Sequence, residues 1–132
     1  WVTYCDPELA QAGLTEAQAR ERFGAAVRVV RASLEDNDRA RAQGQTAGGI
    51  KVVTDRRGAI LGAAILGPQA GELIPVWGLA ISQGLRLSAL TNLIVPYPTL
   101  GEISKAAASA FYGPKLFSPW PRRLVRLLRA LP

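Results

Sequence analysis

The stretch Ile50-Lys51-Val52-Val53-Thr54-Asp55-Arg56-Arg57-Gly58-Ala59-Ile60-Leu61-Gly62-Ala63-Ala64-Ile65-Leu66 decides the fold. Two runs of β-branched and small apolar residues flank Asp55 to Gly58. The aspartate offers a side-chain acceptor and the glycine a positive-φ position, the two needs of a tight reversal. An antiparallel hairpin is therefore predicted, Ile50 to Thr54 against Ala59 to Leu66. Gly62, Ala63 and Ala64 keep the second strand thin, which predicts close packing, read as a helix lying across the sheet. They form no phosphate-binding loop, because the spacing and a following Lys-Ser/Thr are both missing.

Upstream of the hairpin, Val2 to Cys5 and Leu9 to Ala12 read as an extended opening broken at Pro7, which has no backbone N–H to give a ladder. Thr15-x-x-Gln18 is a capping-box pattern for a helix that carries Ala17, Ala19 and Phe23 and ends at Gly24. Ala25 to Leu34, with Val27, Val29 and Val30, reads as a strand. Glu35 to Gln45 is polar and arginine-rich, with Asp36, Asn37 and Asp38 offering a cap for a short helical turn. It reads as a solvated connection, with an inter-subunit contact as the alternative.

Downstream, Gly71 to Gln83 has a broad apolar helical face in Leu73, Ile74, Trp77, Leu79, Ala80 and Ile81, and Pro75 is acceptable in the first turn. Gly84 closes that helix and Leu87 to Leu90 makes a short turn. Leu93-Ile94-Val95 reads as one more strand. Ile103, Ala106, Ala107 and Ala110 then mark one face of a helix running to Phe111.

A chain of 132 residues with 48% hydrophobic content is long enough for one core. Its net charge of +6 invites a nucleic-acid reading, but residues 1–112 carry 11 Lys/Arg against 10 Asp/Glu. The excess belongs to Lys115, Arg122, Arg123, Arg126 and Arg129 in the tail. No nucleic-acid partner is expected from that pattern. No stretch approaches the ~20 consecutive apolar residues of a membrane span. Cys5 is the single cysteine and histidine is absent, so an internal disulfide and a Cys/His zinc cluster are excluded and no metal site is expected. Cys5 reads as a packed strand thiol, with redox reactivity as the alternative. The expected compartment is cytoplasmic.

Tyr97-Pro98-Thr99-Leu100-Gly101-Glu102 sets a titratable phenol and a carboxylate five residues apart, where a helical turn can join them. By composition alone, Tyr97 is a buried aromatic at a strand-helix corner and Glu102 a first-turn acid favoured by the helix dipole. The segment also resembles the His-Pro-Thr-x-x-Glu run of the FAD-dependent pyridine nucleotide-disulfide oxidoreductases, with tyrosine in place of histidine. Asp6-Pro7-Glu8-Leu9-Ala10 with Gly13-Leu14-Thr15-Glu16 is similar to that family's opening strand and first helix start. Gly62-Ala63-Ala64-Ile65-Leu66-Gly67-Pro68-Gln69-Ala70-Gly71-Glu72 is similar to its Gly-Ala-x-Ile-x-Gly-x-x-Ala-x-Glu block. The three landmarks occur in family order over residues 1–112. They resemble the interface (dimerisation) domain of dihydrolipoamide dehydrogenase, glutathione reductase and mercuric reductase.

The resemblance implies an α+β domain with an antiparallel sheet of about four or five strands, helices on one face and an isologous homodimer. It also implies FAD-binding and NAD(P)-binding domains upstream on the same polypeptide. A chain opening on Trp1 is then expected to be an excised fragment that binds no cofactor and turns nothing over alone. In the full-length protein, with FAD and NAD(P)H as cofactors, Tyr97 and Glu102 would be the catalytic pair offered to the partner subunit's active site. Tyr97 and Pro98 would lie near the partner's flavin, joined by a cis peptide, and Glu102 would orient the phenol.

An imidazole near its ordinary pKa of about 6.5 shuttles protons at neutral pH, whereas a phenol near 10 is a poor base and a competent hydrogen-bond donor. Tyrosine here is similar to mercuric reductase, but those enzymes end in a vicinal cysteine pair and this chain ends Arg129-Ala130-Leu131-Pro132. The acceptor stays open between a disulfide, a metal ion and a quinone. The alternative function is a non-catalytic dimerisation or peripheral membrane docking module.

Residues 1–112 are expected to form the dimerisation domain and 113–132 a basic tail helix. Within 118–132, Leu124, Leu127, Leu128 and Leu131 make an apolar stripe with Arg122, Arg126 and Arg129 opposite, and Phe117 and Trp120 nearby. Such a helix packs on protein or lies on an anionic membrane surface.

Overall fold

The computed structural model describes residues 1–113. Its strands are β1 (Val2–Thr3), β2 (Glu8–Gly13), β3 (Arg28–Ser33), β4 (Gly49–Thr54) and β5 (Ile60–Gly67). Its helices are α1 (Glu16–Phe23), α2 (Asp38–Gln43), α3 (Ala70–Leu73), α4 (Pro75–Ser82), α5 (Leu87–Thr91) and α6 (Glu102–Ala110). The expected helix over 118–132 lies outside the described residues. Among the described residues no helix is long and apolar enough to cross a membrane.

The predicted hairpin is the centre of a five-stranded antiparallel sheet ordered β1-β2-β5-β4-β3. Its turn closes as the sequence suggests: the Asp55 carboxylate accepts from the backbone N–H of Arg57 at 2.7 Å and of Ala59 at 2.8 Å, and Gly58 takes φ +82°. The capping box also forms, with Thr15 Oγ1 accepting from Gln18 N–H and Gln18 Oε1 accepting from Thr15 N–H.

Alternation along the strands assigns the two faces. Ala10, Ile50, Val52, Ala63 and Ile65 point to the main core, where they meet Trp77 of α4, Leu87 and Leu90 of α5, and Ile103 and Ala107 of α6. Val53 points the other way, into a smaller cluster with Val27, Ala19 of α1 and the half-buried Leu14, Val29 and Leu61. The α+β architecture with helices on one sheet face is as expected, and α1 is a single helix added on the opposite face.

Five local expectations are corrected. The close approach at Gly62 is to backbone: an added Cβ would meet the Leu14 carbonyl oxygen in the turn into α1. The Gly71 to Gln83 helix is two helices, because Pro75 starts α4 and ends α3 behind it. Leu93-Ile94-Val95 is no strand. The Leu93 N–H bonds back to Leu90 at the end of α5, Ile94 is 93% exposed, and no sheet strand pairs with the segment. Glu35 to Gln45 contains a docked helix, with Asn37 and Ala40 buried. Cys5 is exposed in the bend between β1 and β2, its thiol facing the carbonyl oxygens of Thr3 and Pro7, rather than packed.

The buried face of α6 is also rotated from expectation. It is Ile103, Ser104, Ala107 and Ala108, leaving Ala106 and Ala110 exposed. Ser104 is drawn inward because its Oγ accepts the buried Trp77 indole N–H at 3.0 Å. An indole donor buried without an acceptor costs about 1–3 kcal/mol, enough to override the polarity of one serine.

Candidate functional site

The segment Tyr97 to Glu102 is built from its own backbone and from α2. Thr99 is the centre: its Oγ1 donates to the Pro96 carbonyl at 2.8 Å and its N–H donates to Glu102 Oε2 at 3.2 Å. Leu100, buried beneath, belongs to the main core and anchors the loop. The Tyr97-Pro98 peptide is cis, as the resemblance implies.

Across the loop stands the N-terminus of α2. Asn37 is its N-cap: Oδ1 accepts from the Ala40 N–H at 2.9 Å, while Nδ2 donates to the Thr99 carbonyl at 3.0 Å. One amide thus caps the helix and clamps the loop, and both of its ends are used. Asp38, next in sequence, accepts the Tyr97 hydroxyl proton on Oδ2 at 2.9 Å.

Tyr97 in the loop and Glu102 at the start of α6 are therefore not bonded to each other. Tyr97 is bonded to Asp38, and Glu102 to the Thr99 backbone. Tyr97 is 70% exposed, so the composition reading of a buried corner aromatic is overturned. The hydrogen bond to Asp38 raises its pKa above the usual 10.0, with the Asp38 charge, some desolvation and the Glu102 charge adding in the same direction. At neutral pH Tyr97 is a phenol.

Sequence reasoning missed Asn37 and Asp38 as parts of this site. The Asp36-Asn37-Asp38 run was legible as a helix cap, but its second role depends on contacts 62 and 59 residues away in the chain. A cleft of about 460 Å³ opens between the start of α2 and α6, bordered by Arg31, Asp36, Asp38, Glu102, Lys105 and Ser109. A second, of about 310 Å³, lies on the Pro98 side of the loop beside Arg39, Gln43 and Gln69.

Among the described residues no three His, Cys, Asp or Glu side chains are grouped to hold a metal ion. Tyr97 and the neighbouring Pro98 ring are both exposed on the outer side of the loop.

Comparison with known proteins identifies the family and the fold. Residues 1–108 match the family described as pyridine nucleotide-disulphide oxidoreductase, dimerisation domain. The dihydrolipoyl dehydrogenase of Rhizobium etli is 39% identical over 112 residues, covering 84% of this chain and 23% of that protein. That of Thermus scotoductus is 42% identical over 112 residues, covering 84% of this chain and 24% of that one. Among solved structures, the HOCl-induced flavoprotein disulfide reductase RclA from Escherichia coli aligns with a TM-score of 0.77 at 31% identity, over 83% of this chain and 25% of that one. LpdA from Mycobacterium tuberculosis shares the fold with a TM-score of 0.76 at 24% identity, over 83% of this chain and 24% of that one. The chain thus spans about a quarter of the length of these relatives.

Proposed function

The chain belongs to the pyridine nucleotide-disulphide oxidoreductase dimerisation-domain family, and from that premise we propose that it serves as the interface domain of an FAD-dependent NAD(P)H oxidoreductase. On this reading residues 1–112 form the two-fold interface, and the FAD and NAD(P) domains precede it on the same polypeptide. The domain implies a homodimer, and Tyr97 and Glu102 are its contribution to the partner subunit's active site. The observation that carries this reading is an exposed phenol held by hydrogen bonds on a braced loop, where a free surface tyrosine would be unconstrained.

Tyr97 and Pro98 would border an FAD held by the partner, where the cofactor supplies two-electron exchange between NAD(P)H and a cysteine pair. This chain's residues then act on binding and orientation. Tyr97 stays protonated at neutral pH, so it polarises or positions a group by hydrogen bonding and removes no proton from it. Glu102 holds the Thr99 amide and so fixes the loop that carries the phenol. An acceptor that needs no proton shuttle suits this site better than a lipoamide-type disulfide does.

The test is acceptor turnover by the full-length, FAD-loaded enzyme with Tyr97→Phe. A fall in kcat supports the role, and turnover equal to wild type removes it. Tyr97→His should add lipoamide reductase activity if the missing imidazole sets the acceptor.

A further inference from the structure

We propose that Asp38 is the positioning residue for Tyr97: by accepting the phenol proton it turns the hydroxyl so that Tyr97 presents its oxygen, as a hydrogen-bond acceptor, to the group that docks over it. The identity of that group rests on the function proposed above; the hold of Asp38 on the phenol does not.

A tyrosine hydroxyl has one proton and its oxygen can still accept. Here the proton is committed to Asp38 Oδ2 at 2.9 Å, and an ionised carboxylate can only accept. The carboxylate is itself fixed. Asp38 is the first residue of α2, and Asn37 beside it ties that helix start to the Thr99 carbonyl, two residues from the phenol. Two adjacent residues at the start of α2 thus engage the same loop, Asn37 donating to its backbone and Asp38 accepting from its exposed side chain. Glu102, the partner expected from sequence, is committed to the Thr99 N–H.

The charged groups around the phenol are Asp38 on α2 and Glu102 at the start of α6. Lys105 borders the cleft that those two carboxylates share, and Arg39 lies on the Pro98 side of the loop. Both charges that act on the phenol itself are negative, and both favour its protonated form. An anion approaching the Tyr97 oxygen meets a lone pair backed by two carboxylates. A neutral hydrogen-bond donor, such as a thiol S–H, meets an acceptor already polarised by Asp38. A protonated thiol therefore suits this oxygen better than a thiolate does.

Ultraviolet titration of tyrosine ionisation in the 132-residue chain tests the hold directly, with the matching Tyr97→Phe trace subtracted so that Tyr4 and Tyr112 drop out. Asp38→Asn should lower the Tyr97 midpoint, Glu102→Gln should lower it less, and Asp38→Glu should restore it. Asp38 is exposed and the Asn37 cap is untouched, so these variants keep the fold, which near-ultraviolet circular dichroism checks.

In the full-length enzyme, Asp38→Asn should cut kcat about threefold, the scale of an exposed charged contact, and move the alkaline limb of the pH profile downward. It should have no further effect in the Tyr97→Phe background. An unchanged Tyr97 midpoint in Asp38→Asn, or a larger shift in Glu102→Gln, overturns this inference whatever the turnover. Wild-type turnover by Tyr97→Phe overturns the proposed function instead and leaves the midpoint result standing.

Discussion

The Trp77–Ser104 contact shows how one residue's chemistry outranks its class. Trp77 is fully buried, and its indole carries one donor that must be satisfied inside the core. Ser104 Oγ satisfies it at 3.0 Å, joining α4 to α6, the helix that follows the Tyr97 to Gly101 loop. Ser104→Ala leaves that donor unpaired and should cost about 1–3 kcal/mol of unfolding free energy. Trp77→Phe/Ser104→Ala, which removes both partners, should cost less than the two single changes added together. Urea unfolding of the four proteins measures this. Full additivity would mean that the hydrogen bond contributes nothing.

At the scale of elements, α1 is held to the face of the sheet opposite the other helices by charge as well as by Ala19. Glu16 in its first turn bonds Arg20 on the same helix at 2.9 Å and reaches Arg31 of β3 at 3.5 Å and Lys51 of β4 at 3.6 Å. The Arg20 hydrogen bond lowers the Glu16 pKa below its usual 4.5, against a desolvation that raises it, and the Arg20, Lys51 and Arg31 charges lower it further. A carboxylate lowered in the folded state adds stability that is fully present above the unfolded pKa and is lost as pH falls through the folded one. Glu16→Gln should therefore destabilise the domain by about 0.2–1 kcal/mol per exposed pair at pH 7, and the deficit should close below pH 4.5. Unfolding curves at pH 7 and in acid check the sign; a deficit that persists in acid would assign the loss to packing.

The elements that were legible in sequence share a cause: their information is local. The Asp55 to Gly58 turn, the Thr15–Gln18 capping box and the glycine-ended α1 are written within a few residues of one another, and all form. The misread elements depend on distant partners. Leu93-Ile94-Val95 has strand propensity but no sheet strand to pair with, so propensity yields to context. The face of α6 was ambiguous because alanine fits a core and a surface equally, and the tie was broken by an indole 27 residues upstream. Tyr97 and Glu102 were singled out through a resemblance, while the Asn37 and Asp38 bracket depends on contacts distant in the chain that no local pattern announces.

For the whole molecule, the distribution of apolar surface bears on how two copies meet. Ile94 is 93% exposed, Leu79 of α4 is 61% exposed and Tyr97 is 70% exposed, although a large buried core was available to the two aliphatic side chains. Single exposed apolar residues are ordinary, but Ile94 and Tyr97 lie three residues apart on one segment braced by α2. Homodimer interfaces are richer in apolar surface than the rest of a protein, and their energy concentrates in a few large side chains near the centre. Ile94→Asp should therefore weaken the dimer while leaving the fold intact, because the side chain contributes almost nothing to the domain's own core. Sedimentation equilibrium of the 132-residue chain should show a dissociation constant at least tenfold weaker in Ile94→Asp, the effect of about 1.4 kcal/mol lost at one interface side chain. Leu79→Glu provides the comparison on α4. Weakening by Ile94→Asp but not by Leu79→Glu would place the Tyr97 loop at the contact and leave α4 facing solvent or the upstream domains. The reverse would move the contact to α4 and take the phenol away from the partner subunit, removing the geometric premise of its role there.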